Sequence, residues 1–313
     1  MDLLSDAIAV MRTGEPASNR MSAGEQWCYR FAPYAGAGFH VLLRGSGWLL
    51  TDHGDPIRLG TGDAVLLPHG SAHVLSSTPD DRAAVPFETA VTQPDGTTDM
   101  LCGKYRFDRS RAHFLMSSLP EVVHLPAEIG AHPELRAAIS LLGGEVHGTQ
   151  PGRDAAVGGL LELLLAYLIR AWLVENAEDA WPKALRDPEI AAALEAVHAD
   201  PARPWQLAEL AAEVRLSRAT LARRFTALTG RSPMAYLTWW RMTVAARLLR
   251  DSDLQLPAVA RQVGYGSPFA FSHAFKRQFG VAPASYRSAA EHGSGEELLR
   301  DGEGVHERAR VRT

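Results

Sequence analysis

The sequence predicts an α+β multidomain chain: an N-terminal β-barrel or sandwich, central helices, and an all-α C-terminal region with two helix-turn-helix units. Short apolar runs between Gly- and Pro-rich turns fill the first part, and helical spacing fills the middle. In the last part, Ser217–Leu237 recurs fifty residues later as Ser267–Arg287. We expect the parts at residues 1–130, 131–186 and 187–290, with a disordered tail at 291–313.

Short strands are predicted first along the chain. The apolar runs Phe39–Leu43, Trp48–Thr51 and Ala64–Leu67 alternate with turn segments such as Gly45-Ser46-Gly47. Such spacing is typical of a small all-β barrel or sandwich.

The segment Gly62–His73 fits the pattern G-x5-P-x-G-x2-H. It resembles the second signature of cupins, and FHVLLRGSGWLL upstream resembles the strand, turn and strand that close the first signature. The resemblance covers residues 20 to 125 and implies a cupin-like sensor domain. Metal-dependent cupins hold their metal through two His and a Glu in the first signature, but the corresponding positions here, Gly38 and residues 31–34, carry no ligand.

Of that ligand set only His73 is present, and one ligand is too few to form a metal site. Convergence of His40, His69 and His73 by another route is the alternative. We expect no metal and no cofactor, with His40 and His73 hydrogen-bonded inside the barrel or lining an effector pocket.

Two cysteines, Cys28 and Cys102, are the other reactive candidates. The first ten residues carry Asp2 and Asp6 and no basic start, so we expect no signal peptide, a cytoplasmic protein and no stable disulfide. The thiols are either a reversible redox pair or buried structural side chains.

The middle of the chain predicts helices at Pro133–His147 and Asp154–Glu175, followed by a linker at Asn176–Asp187. Glu162 and Arg170 interrupt the apolar run of the longer helix, which argues against a membrane span. One apolar seam follows the longer helix at four-three-four spacing: Leu161, Leu165, Leu168 and Trp172. It packs either on its own sensor domain or on a second subunit, and we favour a homodimer.

The C-terminal part opens with a helix predicted at Asp187–Asp200. In the first repeat, Gln206–Val214 has the spacing of a short helix, Arg215-Leu216 breaks it, and Ser217 is placed to cap the next helix. The inner side of that helix is predicted to hold Leu221, Phe225 and Leu228.

Gly230 is placed to end this helix, and Pro233–Arg250 predicts one connecting helix. In the second repeat, Leu256–Val263 predicts a helix, and Gly264-Tyr265-Gly266 predicts the turn. A capped helix follows from Ser267, with its inner side predicted at Phe271, Phe275 and Phe279.

Charge is unevenly distributed along the chain. From Pro204 to Arg287 there are twelve Arg and Lys against four Asp and Glu, whereas the whole chain has a net charge of −4. A local basic region suits phosphate neutralisation, so double-stranded DNA is the expected partner.

The segments LAELAAEVRLSRATLARRF, GRSPMAYL and GYGSPFAFSHAFKRQFGVAPASYR resemble the DNA-binding domain of AraC/XylS-type transcription regulators. In that family the second helix of each unit lies in the major groove. By position, the resemblance implies base contacts at Ala219, Ala222 and Arg223 in the first unit and at Phe269, Ala270 and His273 in the second. It implies phosphate contacts at Arg218, Arg224, Lys276 and Arg277. Phe269 has an alternative, which is packing against Tyr265 as core.

These features together predict a sequence-specific transcription regulator at the nucleoid, and not an enzyme. Its activity is expected to be controlled by a small-molecule effector or by thiol oxidation, and RNA polymerase is a further candidate partner. A metal-dependent cupin-type enzyme fused to a DNA-binding module is the alternative from another class, and a ligand-independent architectural protein is the third.

Overall fold

The computed structural model describes residues 3–11, 16–93, 95–107, 116, 118–127, 131–146 and 148–289. The chain divides into two compact units, one of residues Leu4–Lys183 and one of residues Ala184–Thr313 with Met1–Leu3. The tail predicted at 291–313 lies outside the described residues.

Two five-stranded sheets form the described β-structure of the N-terminal unit. The first has the order β1 (Ala17–Ala23), β9 (Thr98–Arg106), β3 (Gly36–Arg44), β6 (Ala64–Leu67) and β10 (Val123–Leu125). The second has the order β5 (Ile57–Leu59), β4 (Gly47–Thr51), β7 (His73–Ser76), β2 (Cys28–Phe31) and β8 (Val85–Pro86). Neighbouring strands are antiparallel, except that β8 lies parallel to β2.

The core lies between the two sheets. Leu42 and Met100 of the first sheet share one buried cluster with Leu49 and Leu75 of the second. Burial of apolar surface on both inner faces drives this packing. The predicted α+β class, with an N-terminal β-barrel or sandwich, is confirmed. Sequence patterning had not indicated helix α1, Leu3–Met11.

Helices α2 (Pro133–Glu145) and α3 (Arg153–Glu175) complete this unit. The apolar seam of α3, from Leu161 to Trp172, is almost fully buried, and the Tyr105 hydroxyl of β9 donates a hydrogen bond to the Leu161 carbonyl, 2.7 Å away. The seam therefore packs on its own domain, and the homodimer contact predicted for it is wrong. Within the described residues, α3 is also long and apolar enough to span a bilayer by length and composition.

The segment predicted as a linker is largely helical, since α4 covers Ala180–Arg186. In the C-terminal unit α5 (Pro188–Ala199) precedes the first repeat, formed by α6 (Leu207–Glu213) and α7 (Arg218–Thr229). Helix α8 (Pro233–Asp251) connects it to the second repeat, α9 (Leu256–Gln262) and α10 (Pro268–Phe279), and residues 283–289 are helical.

Each repeat has its own aromatic core. Phe225 is fully buried and its ring meets Tyr236 of α8 edge-on at 5.5 Å, while Phe271 and Phe275 form the buried centre of the second repeat. These residues fix which side of α7 and of α10 faces inward. The opposite sides are left for contacts with other molecules.

Candidate functional site

Helix α7 presents one polar side away from the core. Ser217 caps it, because its hydroxyl accepts the backbone N–H of Thr220 at 3.1 Å. Arg218, Ala219 and Arg223 are exposed, and Ala222 is half-buried. The cap and the buried core together orient this side of the helix outward.

The turn before α7 contains a strained residue. Arg215 has φ +56°, a left-handed conformation that side chains other than glycine rarely adopt. This conformation closes a short turn, in which the Leu216 N–H donates to the Ala211 carbonyl at 2.9 Å. Two helices are thereby brought to a tight corner.

Helix α10 repeats this arrangement in the second unit. The Ser267 hydroxyl accepts the N–H of Phe269 at 3.2 Å, and Gly280 ends the helix at φ +77°. The outward side carries the exposed residues Phe269, Ala270, His273, Lys276 and Arg277.

Phe269 is 87% exposed, which is unusual for so large an apolar side chain. The Tyr265 ring instead contacts Phe271, with centroids 5.9 Å apart. The alternative in which Phe269 packs on Tyr265 as core is therefore wrong, and the side chain is available to a partner.

Arg224 differs from its neighbour Arg223. Its Nη2 donates to Asp187 Oδ2 at 2.5 Å and to Glu189 Oε2 at 3.1 Å. Two carboxylates already pair with this guanidinium and oppose the predicted phosphate contact by Arg224, which stays a prediction. Sequence spacing did not reveal these partners, because they lie more than thirty positions away.

Helix α8 sets the distance between the two repeats. At 19 residues it is about 28 Å long at 1.5 Å per residue. That length is close to one turn of B-DNA. A buried Thr243 and buried Trp239 and Trp240 hold the helix within the unit's core.

The sensor candidates His40 and His73 face each other across the sandwich. His40 lies in β3 and His73 in β7, and their Nε2 atoms are 2.7 Å apart. Phe31 stacks on the His73 ring at 4.7 Å. Burial lowers the pKa of His73 to about 4, although the Ser71 carbonyl opposes this, and burial followed by the charge of His73 lowers the pKa of His40.

The hydrogen-bond partners assign the tautomers of the pair. His73 Nδ1 lies 2.8 Å from the Ser71 carbonyl, which only accepts, so this nitrogen carries the proton. The Nε2 of neutral His73 is then an acceptor, and His40 Nε2 is the donor. His40 Nδ1 is left as an acceptor with no hydrogen-bond partner among the described residues.

The third histidine does not join this pair, because His69 Nε2 lies 2.9 Å from the Leu119 carbonyl. Among the described residues, no group of three or more His, Cys, Asp and Glu side chains could hold a metal ion. The donors brought together by the fold are two neutral imidazoles, which suit a hydrogen bond between the sheets.

Both cysteines are buried and free of disulfide bonds. Burial raises the pKa of the Cys102 thiol, so its reactive thiolate form is disfavoured. The Cys28 thiol donates to the Asp80 carbonyl at 3.6 Å. In β9, Cys102 stands directly opposite His40 of β3.

Comparison with known proteins gives two family matches. A family described as Cupin matches residues 2–174, and one described as Helix-turn-helix domain matches residues 210–289. A putative AraC-like transcription regulator of Streptomyces lividans is 34% identical over 298 residues, covering 92% of this chain and 98% of the relative.

Two further relatives are similar over most of their length. The HTH-type transcriptional regulator AlkR of Acinetobacter baylyi is 30% identical, covering 84% of this chain and 91% of the relative. The RCS-specific HTH-type transcriptional activator RclR of Escherichia coli is 31% identical, covering 80% of this chain and 83% of the relative.

Proposed function

The chain belongs to the AraC family of transcription regulators, and from this membership we propose how its residues recognise DNA and receive a signal. The protein is a DNA-binding transcription regulator with a cupin-like N-terminal domain, and it is not an enzyme. As such a regulator it acts in the cytoplasm, and we propose that it does so at the nucleoid. The observation that carries the proposal is the pair of capped helices, α7 and α10, with exposed outer sides.

In the first repeat, Arg223 is the proposed reader of base identity. Its guanidinium is exposed and can pair with O6 and N7 of a guanine in two parallel bonds, worth about 1–3 kcal/mol of discrimination. Ala219 and Ala222 offer small apolar contacts to a thymine methyl group. Arg218, at the start of the helix, is proposed to bind phosphate.

In the second repeat the proposed base contacts are Phe269, Ala270 and His273. Phe269 can cover a thymine methyl with a large apolar side chain, and a neutral imidazole is a weaker base reader than a guanidinium. Lys276 and Arg277 lie in the last turn and are proposed to bind phosphates. This repeat would then add more affinity than sequence preference.

The signal is proposed to enter through the N-terminal unit as a small-molecule effector or as thiol oxidation. A ligand that binds better where the His40 to His73 bond is broken has a different affinity for the two arrangements of the sheets, and this difference is what shifts the balance between them. One relative is named as RCS-specific. Burial disfavours the Cys102 thiolate, and Cys102 is the less exposed of the two thiols, at 3% against 7%, so an oxidant is proposed to react first at Cys28.

A second copy of the chain is proposed to pack on the outer side of α3. Leu163, Tyr167, Arg170 and Val174 repeat the four-three-four spacing of the buried seam, and Leu163 and Val174 are 48% and 60% exposed. A homodimer would pair two such stripes. RNA polymerase is a further proposed partner at promoters.

The DNA assignment is tested by fluorescence anisotropy on two duplexes. One is selected by the wild-type full chain from a randomised library, and the other is a scrambled duplex of equal length and composition. Arg223→Ala is expected to lose preference at one base position of the selected duplex, whereas Lys276→Ala weakens both duplexes similarly.

Matched variants sharpen this test. Arg223→Lys keeps the charge but not the two-bond geometry, so it should retain the salt dependence and lose the base preference. Arg58→Ala removes an exposed arginine of the N-terminal unit and should change neither. Equal losses on both duplexes for Arg223→Ala would contradict base readout.

A further inference from the structure

An ion-pair cluster joins α5 to α7, the second helix of the first repeat. We call Asp187, Glu189 and Arg224 the α5–α7 clamp. Arg224 projects from the middle of α7, while the two carboxylates stand at the start of α5. One guanidinium nitrogen bonds to both carboxylates, at 2.5 and 3.1 Å.

Asp187 holds two elements at once. Its Oδ1 accepts the backbone N–H of Ile190 at 3.1 Å and caps α5, while its Oδ2 accepts from Arg224. Any rotation of this carboxylate costs either the cap or the ion pair. One side chain therefore links the start of α5 to the middle of α7.

The clamp is partly exposed to solvent. The side chain of Asp187 is 17% exposed, that of Arg224 is 34% exposed and that of Glu189 is 38% exposed. Burial alone would raise the pKa of Asp187, but the hydrogen bonds from Arg224 and Ile190 outweigh it and lower the pKa. The bond to Asp187 raises the pKa of Arg224, so both groups stay charged across the physiological range.

The clamp also lies next to Arg223, the proposed reader of base identity. Arg224 follows the exposed Arg223 directly and precedes Phe225, which is fully buried. The helix is thus held by its core on one side and by the clamp on another. Arg223 is carried on the turn that these two contacts fix.

Asp187 has a particular place along the chain. The boundary between the two compact units falls between Lys183 and Ala184, inside α4, and Asp187 is the first residue after that helix. Asp187, which caps α5 and binds Arg224, is therefore the first carboxylate residue after the boundary between the two units.

We propose that Arg224 is a positioning residue for base readout, and that the carboxylates of Asp187 and Glu189 set the angle at which α7 offers Arg223 to the bases. This rests on the DNA recognition proposed above. It replaces the phosphate contact that sequence position implied for Arg224. Site discrimination then depends on a side chain that never touches DNA.

The test measures affinity for the selected and scrambled duplexes, and its salt dependence, with the full-length chain. Asp187→Asn is the sharpest variant, because asparagine keeps one oxygen to cap α5, while the charge and the oxygen that accepts from Arg224 are lost. Arg224→Ala removes the partner, and the double variant combines them. Asp253→Asn, an exposed carboxylate of the same unit, is the matched control.

Asp187→Asn and Arg224→Ala should each reduce the preference for the selected duplex about tenfold, and the double variant should lose no more than either alone. Arg224→Lys should lie between wild type and Arg224→Ala. The slope of log affinity against log salt should stay at its wild-type value in every variant, and Asp253→Asn should behave as wild type.

If the magnitude of that slope falls by about one for Arg224→Ala, then Arg224 contacts a phosphate in the wild-type complex, and the proposal is overturned. Additive losses in the double variant would overturn it as well. If wild type itself binds the two duplexes equally, the proposed DNA recognition fails, and the clamp with it. If Arg223→Ala loses preference while Asp187→Asn keeps it, the clamp alone is wrong.

Discussion

The bond between His40 and His73 joins two sheets through a pair of neutral imidazoles. Each ring is almost completely buried, so protonation would place a charge where water cannot solvate it. In the folded protein the pKa of both rings lies below the usual value near 6.5. Unfolding exposes the rings and restores their affinity for protons.

We therefore predict that acid destabilises the N-terminal unit. Between pH 6.5 and 4 the unfolded chain binds more protons than the folded one. The contribution of the two neutral histidines to the free energy of unfolding is therefore fully present above pH 6.5 and is lost as the pH falls towards 4. For His73 alone, the loss at pH 5 is about 2 kcal/mol, from 1.36 kcal/mol per pH unit. Hydrogen exchange of β3 and β7 at pH 7 and pH 5 measures it.

The control for this prediction is the double variant His40→Leu/His73→Leu. It replaces both partners with apolar side chains, so no buried polar group is left unpaired. In this variant, the free energy of opening that hydrogen exchange reports should depend much less on pH over the same range. Equal acid sensitivity in the double variant would locate the effect in other groups.

Sequence reasoning reached some residues of the site and not others. Ser217 and Gly230 were predictable, because capping and left-handed termini depend on chemistry within a few positions of the chain. The partners of Arg224 were not, since they are set by packing between helices distant in sequence. The pairing of His40 with His73 likewise requires two sheets to be stacked in register.

At the scale of elements, the turns of the two repeats are unlike. Four residues separate α6 from α7, and five separate α9 from α10. Arg215 takes the left-handed position in the first turn, whereas Gly264 takes it in the second at φ +78°. The extra residue explains why the first helices of the repeats are 49 positions apart and the second helices 50.

Gly264 is predicted to be the least replaceable residue of these turns. A Cβ there would lie 2.7 Å from the Ala202 carbonyl oxygen and 2.9 Å from a nitrogen of Arg241, in addition to the strain of a positive φ. Gly264→Ala should lower stability by about 3 kcal/mol, combining left-handed strain with overpacking. Pulse proteolysis in urea measures the change.

Gly280→Ala supplies the comparison. Gly280 has nearly the same φ, +77°, but nothing lies within 4 Å of the added Cβ. Only the backbone term should remain, about 1 kcal/mol. Equal losses at the two glycines would show that the contact with Ala202 relaxes without cost.

The helix α3 shows a limit of periodicity. Its spacing predicted a helix correctly, and the apolar seam identified a buried stripe. Two stripes with the same spacing follow this helix, however, one from Leu161 and one from Leu163. Periodicity alone does not tell which stripe packs on the sheet, because the answer depends on where Tyr105 and its strand lie.

At the scale of the whole molecule, dimerisation through the outer stripe of α3 is predicted to depend on its apolar members. Leu163→Glu/Val174→Glu should convert a dimer into a monomer, because charge would be buried between two copies. Sedimentation velocity of the full chain measures the mass. Val91→Glu, at a loop residue that is 76% exposed, is the matched control and should leave the mass unchanged.

The outer sides of α7 and α10 carry different chemistry, with an arginine at position 223 and a histidine at position 273. With the proposed base contacts, one polypeptide meets two unequal half-sites, so the segment bound by a single copy is not a palindrome. A footprint of this kind has a left and a right end. If the binding site were inverted at a promoter, the bound regulator would face away from the gene. The orientation of the site therefore matters for regulation as well as its sequence.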